Sequence, residues 1–324
     1  MKQLSTLAIE QHHLDQPGPL IVTLAAWNSK GHGDWFARSF VLPLKRPCVF
    51  IAQRQGNHWW HTDEIFLVAE RVRALRQEHQ RQVILYGSSM GGYGACHLME
   101  LFEADHAIAV APQVQIDPAN VPSEPRWLDE RTAVAQQACF DERHTLGRPG
   151  AHLTVFYDPF HAMDCTHIER LHPANGGRSL LHLVPTPYTS HDAARVLARQ
   201  GILKAFLTPL LEGGEPNWAA LRQCASAYRR DAKSFFNYLR CHLAGLSPTA
   251  LNENLVLART FLATTPELDF EALYMAAEVF KQCRLEEEAS RLIERSIAVY
   301  EGHYQRPAPA YLLKKRDHIR KAVA

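Results

Sequence analysis

Short, almost unbroken apolar runs recur through the first two-thirds of the chain. Leu20–Ala26 is one; Cys48–Ala52, Val83–Tyr86, His106–Ala111, His152–Tyr157 and Leu180–Val184 are others. Runs this short and this apolar are expected of strands buried on both faces of a parallel sheet. Leu4–Ile9 is a further strand candidate near the start. Between these runs the period changes. Thr62 can cap a helix with Asp63 and Glu64 in its first turn and Ile65, Val68, Ala69, Val72 and Leu75 on its apolar face. A second helix is expected over Met90–Phe102 and another over Ala193–Arg199. Strands alternating with helices imply crossover connections, hence an α/β fold: a mainly parallel sheet of about seven strands covered on both faces.

The pattern changes at about Glu215. From there no strand candidate remains, and amphipathic helical stretches follow one another to the end. Leu273, Ala276, Ala277 and Phe280 mark one helix of a hairpin; Ala289, Ile293 and Ser296 mark the other. Their spacing resembles a tetratricopeptide repeat, with Arg284 where a turn glycine is favoured. Lys233–Ala244 and Asn254–Ala263 are read as a preceding, less regular hairpin. The expected organisation is therefore an α/β domain over 1–210, with a small cap insertion over 116–149, and a helical domain over 215–324.

The strand Val83–Tyr86 runs straight into Gly87-Ser88-Ser89-Met90-Gly91, a G-x-S-x-G sequence, and then into a helix. Strand, sharp turn and helix are the setting of a nucleophile elbow, in which the serine hydroxyl is exposed at the carboxyl edge of the sheet. Flanking side chains would collide there, so both flanks are glycine. The motif alone arises by chance in roughly one chain in ten of this length, so the rest of the chain must support it. A phosphate-binding loop is excluded because no G-K-[ST] follows, and Gly92-Tyr93-Gly94 does not continue to G-x-G-x-x-G.

Composition narrows the class further. The 324 residues are 46% hydrophobic with a formal charge of +1, and no basic stripe with interleaved aromatics suggests nucleic acid. Met1–His12 lacks the layout of a secretory signal, and no apolar run approaches a membrane span. The seven cysteines are scattered without a C-x-x-C pair, as in reduced, cytoplasmic proteins. His161, Asp164 and His167 stand at three-residue intervals, but no H-E-x-x-H accompanies them; neither metal nor cofactor is expected.

A serine nucleophile needs a base to take its proton and a carboxylate to fix the base's tautomer. The chain offers both after the elbow, in the order Ser, acid, His. Asp158 follows the run ending at Tyr157, and His191 follows the run ending at Val184, directly before Ala193–Arg199. Asp158 is the first candidate for the acid and Asp164 the alternative; Asp192 adjoins His191 and is read as a helix cap. Ser88 is read as a small turn residue pointing away from the site, Trp59 and Trp60 as candidate pocket lining, and Arg126 as a surface residue.

With Tyr86–Gly94, Tyr157-Asp-Pro159 and Ser190-His-Asp192, residues 1–210 resemble the α/β-hydrolase superfamily. Asn57-His-Trp-Trp60 and Ala111-Pro-Gln113 further resemble a compact bacterial subgroup often linked with surface-polysaccharide genes. The resemblance implies Ser89 as nucleophile, His191 as general base and acid, and Asp158 as orienting carboxylate. It places the oxyanion donors at the amide of Met90 and at Trp27 or Asn28, in a loop that is not of the H-G-G-G type. The expected activity is a serine esterase working through an acyl-enzyme on an ester substrate, such as an acylated saccharide or a lipid-like molecule. An acyltransferase using the same residues is the near alternative. The other is a hydrolase-like binding or scaffold protein recruiting a protein partner through the helical tail.

Overall fold

The computed structural model describes residues 4–26, 35–54, 58–142 and 146–323. Seven strands form one sheet: β1 (Leu7–His12), β2 (Leu20–Leu24), β3 (Cys48–Gln53), β4 (Val83–Ser88), β5 (His106–Val110), β6 (His152–Tyr157) and β7 (Leu180–Pro185), in the spatial order β1-β3-β2-β4-β5-β6-β7. β1 pairs antiparallel with β3, and every other pairing is parallel. The sheet is thus the mainly parallel one expected, and its central strand β4 carries the serine turn.

Burial explains the apolar runs. Every residue of β2, β3 and β4 is buried, so no alternation is needed on either face. β7 differs: it lies at the sheet edge, with Leu180 and Leu183 exposed. Helices α1 (Arg38–Val41), α2 (Glu64–His79), α3 (Met90–His97), α4 (Leu128–Ala135) and α5 (Ala162–Asn175) lie between successive strands from β2 to β7, and α6 (Ala193–Arg199) and α7 (Ile202–Leu211) follow β7. On α2, Ile65, Val68, Ala69, Val72 and Leu75 are buried as the periodicity requires. Glu64, at the start of the same helix, accepts the amides of Ser5, Thr6 and Leu7 at 2.6, 2.9 and 2.9 Å and so anchors the entry to β1.

The chain divides into two compact units, Met1–Ala225 and Ser226–Ala324. The second holds α8 (Ala232–His242), α9 (Pro248–Thr264), α10 (Phe270–Gln282), α11 (Glu286–Tyr304) and α12 (Ala310–Val323). α10 and α11 form a hairpin that buries Leu273, Ala276, Ala277 and Phe280 against Ala289 and Ile293. Asp269 caps α10 through the amide of Ala272 at 2.7 Å, and the Ser296 hydroxyl donates to the Phe270 carbonyl at 2.6 Å. Between the helices, Arg284 takes the left-handed conformation (φ 60°) that a turn glycine would supply without strain.

Candidate active site

All the parallel strands point their carboxyl ends to one rim, and that rim collects the loops after β4, β6 and β7. At the first of them Ser89 has φ 54° and ψ −118°, outside the regions open to an L-residue without strain. The surroundings enforce it. The Ser89 amide donates to the Val110 carbonyl of β5 at 2.9 Å, and its carbonyl accepts the Tyr93 amide at 2.9 Å. A Cβ on Gly87 would lie 2.1 Å from the Gly91 carbonyl oxygen, and one on Gly91 2.1 Å from that of Leu24. Both glycines are therefore required by close backbone approach. Ser88 is buried at the end of β4.

Met90 opens α3, where the first amides of a helix have no intrahelical partner. The indole of Trp60 donates to the Met90 carbonyl at 2.9 Å, and a Cβ on Gly94 would strike the same indole at 2.6 Å. Trp59 donates to Oε1 of Gln113 at 3.1 Å. Both tryptophans have no exposed surface. This corrects their reading as pocket lining: they are core side chains that brace the serine helix and the turn after β5. Trp127 is the aromatic beside the site, its ring 6.2 Å from that of His191 and 6.4 Å from that of Trp59. Trp27 and Asn28 lie outside the described residues.

His191 sits in a short 3-10 turn, Ser190–Asp192, after β7. Its Nε2 is 2.9 Å from Ser89 Oγ, and its Nδ1 is 3.0 Å from both carboxylate oxygens of Asp164. An ionised carboxylate only accepts, so Nδ1 carries the proton and Nε2 is left to accept from the serine hydroxyl. Hydroxyl, imidazole and carboxylate thus form one hydrogen-bonded chain. Asp164 is buried while His191 keeps 26% of its side chain exposed. Burial alone would raise the Asp164 carboxyl, but the close His161 ring, 3.2 Å away, and the hydrogen-bonded His191 outweigh it and hold it well below the usual carboxylate range.

The expected acid, Asp158, makes no such contact, and this is a correction. Its carboxylate accepts the amides of Phe160 (2.9 Å), Tyr188 (3.0 Å) and Ser190 (2.6 Å). Burial pushes its carboxyl up, against the pull of those three amides. It therefore ties the loop after β6 to the loop carrying His191. Asp164 reaches the imidazole from the first turn of α5, because the chain turns back after Asp158: the His161 amide donates to the Asp158 carbonyl at 3.2 Å.

The cap segment also reaches the site. Arg126 Nη2 donates to Asp164 Oδ1 at 2.9 Å while its Nε donates to Glu124 at 2.8 and 3.0 Å. Arg126 is thus an inward-facing ion-pair partner and not the surface residue expected. Its sequence offers little warning, since 38 residues separate it from Asp164. His161, Asp164 and His167 do not converge: His161 lies 3.2 Å from Asp164, whereas His167 Nε2 is 3.2 Å from Glu124. Among the described residues no group of three or more His, Cys, Asp and Glu side chains could hold a metal ion. None of the described helices is long and apolar enough to cross a membrane.

No protein-family model matches the chain, and no curated protein sequence does. Solved structures show a distant likeness. A capsule O-acetyltransferase of Neisseria meningitidis serogroup A is 15% identical, with 62% of this chain and 91% of that one covered and a TM-score of 0.47. The glycosylation-associated Gap123 complex of Streptococcus agalactiae is 14% identical over 64% of this chain and 45% of that one, TM-score 0.49. An α/β serine hydrolase without a lid from Xanthomonas campestris is 18% identical over 61% and 86%, TM-score 0.35. By its own sheet order and serine turn, this chain has an α/β-hydrolase-like fold followed by a helical C-terminal region.

Proposed function

We propose that the protein is a serine acyl hydrolase acting on an ester, with Ser89 as nucleophile, His191 as general base and acid, and Asp164 as the orienting carboxylate. The observation carrying this reading is the chain Ser89 Oγ–His191 Nε2, His191 Nδ1–Asp164. Ser89 gives its proton to Nε2 as its oxygen bonds to the ester carbonyl carbon. The imidazolium so formed faces the Asp164 carboxylate and returns the proton to the departing alcohol, leaving an acyl-serine. A water activated by the same imidazole then releases the acid and restores the serine. The Met90 amide is the first oxyanion donor; a donor of this kind is worth roughly 3–4 kcal/mol of barrier.

An acceptor alcohol in place of that water makes the same machinery an acyltransferase. The test is turnover of p-nitrophenyl esters of graded chain length, with and without saccharide or other alcohol acceptors, beside labelling by an activated-serine probe. Wild type should turn over and label, and Ser89→Ala should lose both while remaining folded. Ester turnover unchanged in Ser89→Ala would remove Ser89 as nucleophile. Preference for acetyl over longer chains favours a sugar ester as substrate; the reverse favours a lipid-like ester.

A further inference from the structure

The Asp164 carboxylate is shared between two elements. From the serine side it receives His191, and from the cap segment it receives Arg126. The guanidinium that reaches it is held on every side. Glu124 takes Arg126 in a two-oxygen grip and also accepts the Arg126 amide at 2.9 Å. Glu124 is itself buried and is held by His167 Nε2, while the Gln115 amide donates to Nδ1 of the same ring at 3.4 Å. The backbone of this turn wraps around Arg131, which is fully buried and donates to the carbonyls of Ile116 (2.8 Å), Glu124 (2.6 Å), Val121 and Arg126 (both 3.4 Å). The Arg126 guanidinium also stands 5.2 Å from the Trp127 ring.

We propose that Arg126 is a positioning residue of the serine site: by bridging Glu124 and Asp164 it fixes the Asp164 carboxylate toward Nδ1 of His191, and it sets a fixed positive charge between two buried carboxylates. The proposal rests on the assignment of Asp164, His191 and Ser89 made above. A planar guanidinium suits this role because its fork can serve two carboxylates at once in fixed directions. The cap segment then completes the base and does more than cover the site.

The charge has a sign that can be read. Arg126 is cationic and Glu124 anionic, so removing one or the other changes the charge beside Asp164 with opposite sign. The other groups facing the pair are His161, 3.2 Å from Asp164, and Cys165, next along α5. Asp158 lies behind the Ser190 amide, Asp192 is paired with Arg195 at 3.3 Å, and burial keeps His167 toward its neutral form.

The test is kcat, KM and the pH dependence of kcat/KM on p-nitrophenyl acetate for Arg126→Gln, Arg126→Lys and Glu124→Gln, with thermal unfolding of each. Arg126→Gln should lower kcat roughly 10- to 100-fold at a KM within about twofold, and move the acid limb of the profile up by about one pH unit. Arg126→Lys keeps the charge but not the fork, so its acid limb should stay while part of kcat is lost. Glu124→Gln should move the acid limb down. A structural ion pair would lower the unfolding temperature without moving the limb, and a substrate-binding arginine would raise KM at constant kcat. Either pattern overturns the proposal. Should Arg126→Gln fail to fold, an unshifted acid limb in Glu124→Gln overturns it equally. Full activity in Ser89→Ala would instead sink the serine assignment; an inactive Ser89→Ala beside a wild-type-like Arg126→Gln sinks only the role of Arg126.

Discussion

The Asp158 carboxylate accepts the amide of Ser190 at 2.6 Å, so the residue before His191 is held from the loop that follows β6. Asp158 and Asp164 thus meet the same loop in different ways, one through the amide of the residue before His191 and one through the His191 ring. Asp164→Asn should lower kcat by roughly 10³–10⁴ with little change in KM, because the amide no longer fixes the tautomer. Asp158→Asn should mainly cost stability, about 1–3 kcal/mol from the weakened amide bonds, with a much smaller loss of kcat. Denaturant unfolding and steady-state kinetics on the two variants separate the roles; equal loss of kcat in both would contradict this division.

Gly91 tests the serine turn itself. An added methyl would sit 2.1 Å from the Leu24 carbonyl oxygen, a backbone atom that cannot swing aside. Gly91→Ala should therefore destabilise the protein by about 3 kcal/mol or more, or prevent folding. An alanine variant with wild-type unfolding and activity would mean that β2 and α3 do not approach as described.

Glu142 is a buried acid beside a cavity of about 550 Å³ lined also by His61, Ile116, Asn120 and Phe140. Burial raises its carboxyl from about 4.5 to about 7, despite hydrogen bonds from Tyr93 and the Ile116 amide. Between those two values the folded protein holds a proton that the unfolded chain has released. Stability from this group is therefore full below about pH 4.5 and falls as pH rises through about 7, by about 3 kcal/mol in all. Glu142→Gln should remove that slope and be more stable than wild type at pH 8. Urea unfolding from pH 4.5 to 8 reads the difference directly.

Buried histidines act in the opposite direction. Burial lowers His61 to about 3 and His97 to about 4 from an ordinary value near 6.5. Unfolding at a pH between these limits takes up protons, so the stability they contribute is present above pH 6.5 and is lost as pH falls toward 4. In the Glu142→Gln background, where the opposing slope is absent, urea midpoints should fall continuously from pH 6.5 to 4. Adding His97→Gln should flatten part of that fall.

The strands and the serine turn were legible because their causes are local. Unbroken apolar runs mean burial on both faces, and the glycine before the serine answers to the backbone of the same turn, at Gly91. The edge position of β7 was not legible, since Leu180–Val184 reads as apolar as any central strand. The acid was half legible: Asp158 and Asp164 both follow β6, and only the fold of the turn between them decides which carboxylate meets the ring. Arg126 could not be found at all, because an ion pair across 38 residues leaves no periodicity. The tryptophans were visible as large aromatics, but whether an indole faces substrate or backbone depends on where β3 and α3 meet.

The Trp60 indole bond to the Met90 carbonyl has a further consequence, for the stiffness of the serine helix. It holds the Met90–Gly91 peptide of α3 from the side, the peptide next to the one that carries the Met90 N–H. On the function proposed above, an oxyanion at the Met90 amide would meet a helix start already braced against movement. A fully buried tryptophan would thereby limit how far the start of α3 moves during the proposed reaction.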